Sequence, residues 1–134
     1  MVDQTKLITV EEFEQFIALP ENADKRFELI DGEIVENVPT EEHSLVAGNI
    51  YAALRAFVKP RRLGRVAFEV RHKTPDDAHN ARLPDVEFTH ADRVQPVVSE
   101  GSVPQMPDLA VEVKSPNDTY LELRKKALYY LENG

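Results

Sequence analysis

Asp31-Gly32 stands between two short runs, Arg26-Phe27-Glu28-Leu29-Ile30 and Glu33-Ile34-Val35-Glu36. Asp-Gly in that setting is the strongest short-range signal for a two-residue hairpin, since both turn positions must adopt positive φ. The dipeptide therefore predicts two antiparallel strands early in the chain. Before it, Thr9-Val10-Glu11-Glu12 has the layout of a capping box, with Phe13, Phe16 and Ile17 at helical spacing and Pro20 as the stop. After it, Pro39 and Thr40 lead into a helix from about Glu41 to Val58, with His43 at the head of a buried stripe of Val46, Ile50, Leu54 and Phe57.

Residues 65–73 alternate, Val66, Phe68 and Val70 against Arg65, Ala67, Glu69 and Arg71, as a half-buried strand should. A further strand is expected over 81–89 with Pro84 near its start, then a long loop over 91–106. Asp108–Lys114 is rich in apolar and β-branched residues and stops at Ser115-Pro116, the pattern of a central strand. Asn117 or Asp118 is expected to cap a last helix to about Glu132, with Leu121, Leu128 and Leu131 inward and Gly134 at its C-terminal cap. The order α, β-hairpin, α, β, β, β, α implies an α/β or α+β fold, a sheet with helices packed on it.

A chain of 134 residues with 42% hydrophobic content is expected to form one domain without disulfides. It has no cysteine, so its chemistry must use oxygen and nitrogen ligands. No apolar run approaches the ~20 residues of a bilayer span, and the N-terminus lacks the layout of a secretory signal, so a soluble, cytoplasmic protein without membrane contact is expected. The net charge of −8 argues against a nucleic-acid partner until its distribution is read. Arg55, Lys59, Arg61, Arg62, Arg65, Arg71 and Lys73 form one basic block, interrupted by Glu69 alone, inside an otherwise acidic chain. It is either a solvated helix end and loop or a phosphate-contacting surface.

Period-two geometry puts Asp108, Ala110, Glu112 and Lys114 on one face of their strand, and Asp85 and Glu87 on a face opposite Val86 and Phe88. An ion pair at a sheet surface accounts for this pattern. So does a hard-oxygen site, since two carboxylates on adjacent strands beside a lysine suit Mg²⁺ or Mn²⁺. His43, Glu87 and Asp108 have no role legible from sequence, and Lys125 and Tyr129, one helical turn apart, face either phosphate or solvent.

Pro84-Asp85 followed by Glu112-Val113-Lys114 resembles the PD-(D/E)xK nuclease signature. With Phe27–Glu33, His43, Arg82–Val86, Pro107–Pro116 and the Lys125 to Gly134 stretch, the chain from about Thr9 resembles the Uma-two family of restriction-type endonucleases. The resemblance implies a PD-(D/E)xK core with a mixed sheet, an N-terminal β-hairpin and flanking helices. It implies Mg²⁺ (or Mn²⁺) held by Asp85 and Glu112, a catalytic Lys114 and an accessory acid at Glu28. The expected activity is metal-dependent hydrolysis of phosphodiester bonds, in DNA first, with Arg61, Arg62 and Arg65 on the nucleic acid. The rivals are a catalytically silent nuclease-fold domain that binds DNA or protein, and a metal hydrolase acting on a small phosphorylated substrate. Relatives continue past the glycine with a strand and hairpin, so an open sheet edge and self-association, as in a homodimer, are expected of a chain stopping at Gly134.

Overall fold

The computed structural model describes residues 6–134. The first five, part of the stretch read above as lacking a signal layout, lie outside the described residues. The chain groups into two compact units: Met1–Val38, Arg71–Leu83 and Val98–Gln105 in one, Pro39–Val70, Pro84–Val97 and Met106–Gly134 in the other. No helix among the described residues is long and apolar enough to cross a membrane.

In the first unit, helix α1 (Val10–Ile17) begins at the expected capping box, with Thr9 accepting from the Glu12 amide and Glu12 reaching back to Thr9. Strands β1 (Arg26–Ile30) and β2 (Glu33–Asn37) pair antiparallel, from Ile30 opposite Glu33 to Arg26 opposite Asn37. Asp31 and Gly32 have φ of 49° and 82°, as the tight hairpin turn requires. Gly32 is needed twice over, because a Cβ there would lie 2.6 Å from that of Leu7. Val10, Phe13, Phe27, Leu29 and Ala81 make the core, with Phe16 packed edge-on to Phe27 at 5.0 Å. The parallel pairing expected of a mixed sheet occurs at the His72–Val103 bridge, and both named sheets are antiparallel.

The second unit holds helix α2 (Glu41–Arg61), strands β3 (Gly64–Phe68), β4 (Val86–His90) and β5 (Leu109–Val111), and helix α3 (Tyr120–Glu132). The sheet order is β3-β4-β5, so β4 is central and the segment read as a central strand is a three-residue edge. The expected 65–73 strand stops at Phe68 because Glu69 turns left-handed at φ 54°. α2 runs past Pro60 to Arg61, a last-turn proline being tolerable where one ladder bond is lost. Its inward residues are His43, Ala47, Ile50, Leu54 and Val58, which keep the 3.6-residue period. Val46 and Phe57, expected inward, stand one position off that line and are exposed. Thr119, rather than Asn117 or Asp118, caps α3 in a second capping box with Glu122. Leu121, Leu128 and Leu131 are exposed, against expectation, while Leu123, Lys126, Tyr129 and Tyr130 are partly buried.

Glu14 on α1 accepts from Lys73 Nζ at 3.0 Å and from the Ser102 amide at 3.1 Å, joining three segments of the first unit. Burial pushes its carboxyl up, but the Ser102 amide and Lys73 outweigh this and hold it below the ordinary value. A depressed folded pKa means stability present at neutral pH and lost as pH falls through it. Glu14→Gln should therefore cost about 1.5–3 kcal/mol in urea unfolding at neutral pH, with the gap closing below pH ~4. An equal gap at both pH values would show that the Glu14 charge contributes nothing.

Candidate active site

Val86 pairs with Val111, so Asp85 directly precedes the paired stretch of β4 and Glu112 directly follows that of β5, at the same end of the two strands. Asp85 is fixed on both sides: its amide donates to the Val111 carbonyl at 3.0 Å, and its own carbonyl accepts from Glu69 at 3.3 Å. Its carboxylate Oδ2 accepts the Val113 amide at 2.6 Å and lies 3.3 Å from His43 Nε2. His43 comes from the first turn of α2, whose cap Thr40 accepts the His43 amide at 3.2 Å. Burial pushes the Asp85 carboxyl above the ordinary range, opposed by the Val113 amide, His43 and Lys126.

Glu112 follows the last residue of β5 and is engaged from α3 at both oxygens. Tyr130 donates to Oε1 at 3.0 Å, and Lys126 Nζ lies 3.7 Å from Oε2. These residues, four apart on one helix face, stand one position beyond the Lys125 and Tyr129 singled out from sequence. Only the sequence periodicity with Glu112 as an anchor could have found them. Lys114 is exposed, with Nζ 3.5 Å from the Ser115 carbonyl and 5.2 Å from the centre of the Tyr120 ring. The alternation expected to carry it beside Glu112 depends on a strand reaching residue 114, and β5 ends at Val111.

Glu28 belongs to the first unit, fully buried, where Oε1 accepts the Leu83 amide and Oε2 the Asn37 side chain, both at 3.0 Å. Asp108 closes the other end of β5, taking the His90 amide at 2.6 Å and Arg93 at 2.7 Å. The His90 amide is the main influence holding its carboxyl low. Glu87 is buried on β4 and accepts from Thr89 at 3.2 Å; burial pushes its carboxyl up. Of the three arginines expected on nucleic acid, Arg62 and Arg65 line an open cavity of about 540 Å³ with Arg55 and Lys59. Arg61 folds back over Phe57, 4.0 Å above its ring, and donates to the Phe57 carbonyl at 2.9 Å.

The α+β fold carries one carboxylate beside the end of each of two neighbouring strands, and a solved structure bears on its class directly. The chain is similar to "a putative nuclease belonging to DUF820" from Anabaena variabilis, with TM-score 0.75 and 27% identity over 95% of this chain and 69% of that one. The chain belongs to the Uma2 family, described as "Putative restriction endonuclease", whose family model matches residues 11–134. Family and structural neighbour together support a nuclease. No curated protein matches the chain.

A buried carboxyl with a raised pKa is ionised at a cost to stability above its unfolded value. Asp85→Asn keeps an acceptor for Val113 and removes that charge, so its melting temperature should equal the parent's or exceed it by up to about 4 °C at neutral pH. A drop of several degrees in a calorimetric scan would make the Asp85 charge a stabilising element.

Proposed function

We propose that this chain is a metal-dependent endonuclease hydrolysing phosphodiester bonds in DNA, with Asp85 and Glu112 holding Mg²⁺ or Mn²⁺. The observation that carries this reading is that Asp85 and Glu112 flank the paired residues Val86 and Val111 at the same end of two neighbouring strands. No three or more His, Cys, Asp or Glu among the described residues are grouped to hold a metal ion. A pair of carboxylates nonetheless fits Mg²⁺, which takes one or two of them and fills its remaining positions with water and substrate phosphate. When bound, the cation supplies charge neutralisation at the scissile phosphate and makes an attacking water more acidic.

The chain's own residues supply the geometry. The Val111, Glu69 and Val113 contacts hold Asp85 against swinging, and Tyr130 fixes the rotamer of Glu112, so both acids meet a substrate already oriented. His43 bears on the same Asp85 oxygen and sets its direction. In hydrolysis a water oxygen bonds to phosphorus while the bond from phosphorus to one sugar oxygen breaks. The water loses a proton to solvent and the departing oxygen gains one, with no covalent enzyme intermediate. Glu28 is held within the first unit, where it accepts the Leu83 amide.

The cavity supports a polyanionic substrate. Arg55, Lys59 and Arg62 follow one face of α2, and Arg65 pairs with Thr89, four residues along β4 from Asp85. That is about 13 Å at strand rise. Along duplex DNA the phosphates of one strand recur every ~3.4 Å, so the same bound strand spans the distance with about four phosphates.

Calorimetric Mn²⁺ titration of the parent, Asp85→Ala and Glu112→Ala tests the site, with affinity expected to fall at least about tenfold in each variant. Equal affinity in all three would remove the metal centre. DNA binding that persists without metal binding or cleavage would point to a silent nuclease-fold domain. Replacing Arg62 and Arg65 with alanine should flatten the slope of log affinity against log salt by about 0.9 for each phosphate no longer neutralised. An unaltered slope would return the basic block to a solvated face.

A further inference from the structure

We infer that Lys126, on α3, is the lysine that stabilises negative charge building on the phosphodiester, the role the PD-(D/E)xK resemblance gives to Lys114. The inference rests on the nuclease reading above and assigns a residue within it. Lys126 Nζ is 3.7 Å from Glu112 Oε2, its side chain is 16% exposed, and its charge also bears on Asp85. Lys126 thus bears on both proposed metal-holding acids. Lys114 lies in the irregular segment before Pro116, its Nζ taken up by the Ser115 carbonyl and the Tyr120 ring.

The supports of the two lysines differ in kind. Lys126 projects from a 13-residue helix started by a capping box, and Tyr130, one turn on, anchors that helix to Glu112 by a hydrogen bond. A rigid element holds a charge within the fraction of an ångström that electrostatic stabilisation needs, and an irregular segment holds it less well. The separation of 3.7 Å puts the ammonium within ion-pair reach of Glu112. Lys126 transfers nothing in this role; Tyr130 is a positioning residue. The ammonium and a divalent cation also compete for the same carboxylate, which gives a second observable.

Single-turnover cleavage of labelled duplex DNA, with Mn²⁺ titration in the absence of DNA, tests this on Lys126→Met, Lys126→Arg and Lys114→Met. Lys126→Met should slow cleavage by about 100-fold or more with DNA affinity within about threefold of the parent's. Lys126→Arg should recover at least about tenfold of that loss, and Lys114→Met should lose less than about tenfold. Lys126→Met should bind Mn²⁺ at least as tightly as the parent, by up to about tenfold, since a competing cation is gone. Thermal melts confirm that each variant is folded, and Lys126→Arg keeps the test decisive if Lys126→Met is not. A cleaving parent in which Lys114→Met shows the larger loss, or in which Lys126→Met cuts normally or loses Mn²⁺ affinity, overturns the assignment alone. A parent that binds Mn²⁺ and does not cleave overturns the nuclease reading and this assignment with it.

Discussion

The Val113 amide donates to Asp85 Oδ2 at 2.6 Å, and most of the site depends on that hydrogen bond. β5 contributes only Leu109–Val111 to the ladder, too short to keep the next residues extended by main-chain pairing. The Asp85 side chain takes the place of the next carbonyl and prolongs the ladder by one rung. Glu112 lies between the last ladder residue and that rung, so its position follows. Tyr130 and Lys126 then have a fixed acceptor, and α3 has something to dock on.

This arrangement works against stability. Burial raises the cost of ionising Asp85. The neighbours reduce that cost, with His43 beside Asp85 and Lys126 beside Glu112. A sheet under selection for stability alone has no need of acids that draw an imidazole and an ammonium from two helices. Asp108 makes the contrast: it has an amide and an arginine within 2.7 Å, is held ionised, and fastens the other end of the same strand.

Local signals were legible where the physics is local. The Thr9 capping box and the Asp31-Gly32 turn both follow from short-range spacing. Rotational placement on helices was not. The leucines of α3 suggested an inward face at 121, 128 and 131, while the face the fold uses is led by Lys126 and Tyr130, whose partner is an acid. Hydrophobic period cannot signal a helix whose docking is polar. Phe57 misled in the same way, since its ring serves as a platform for Arg61 instead of as core. The end of β3 was illegible because nothing in Glu69 announces a left-handed backbone.

Neither compact unit is a continuous stretch of chain. The hairpin and α1 precede the other unit in the chain, yet their unit also draws on residues 71–83, which follow α2 and β3, and on residues 98–105, which follow β4. The usual sequence in which an N-terminal module folds while the rest is still being synthesised is closed to this chain. The early hairpin has to wait, with its apolar face uncovered, until residue 105 has been made. Ser102, which holds Glu14, is among the last residues that complete it. Its birth is thus a period of dependence on dilution or on a holding chaperone, set by chain order and not by the strength of any one contact.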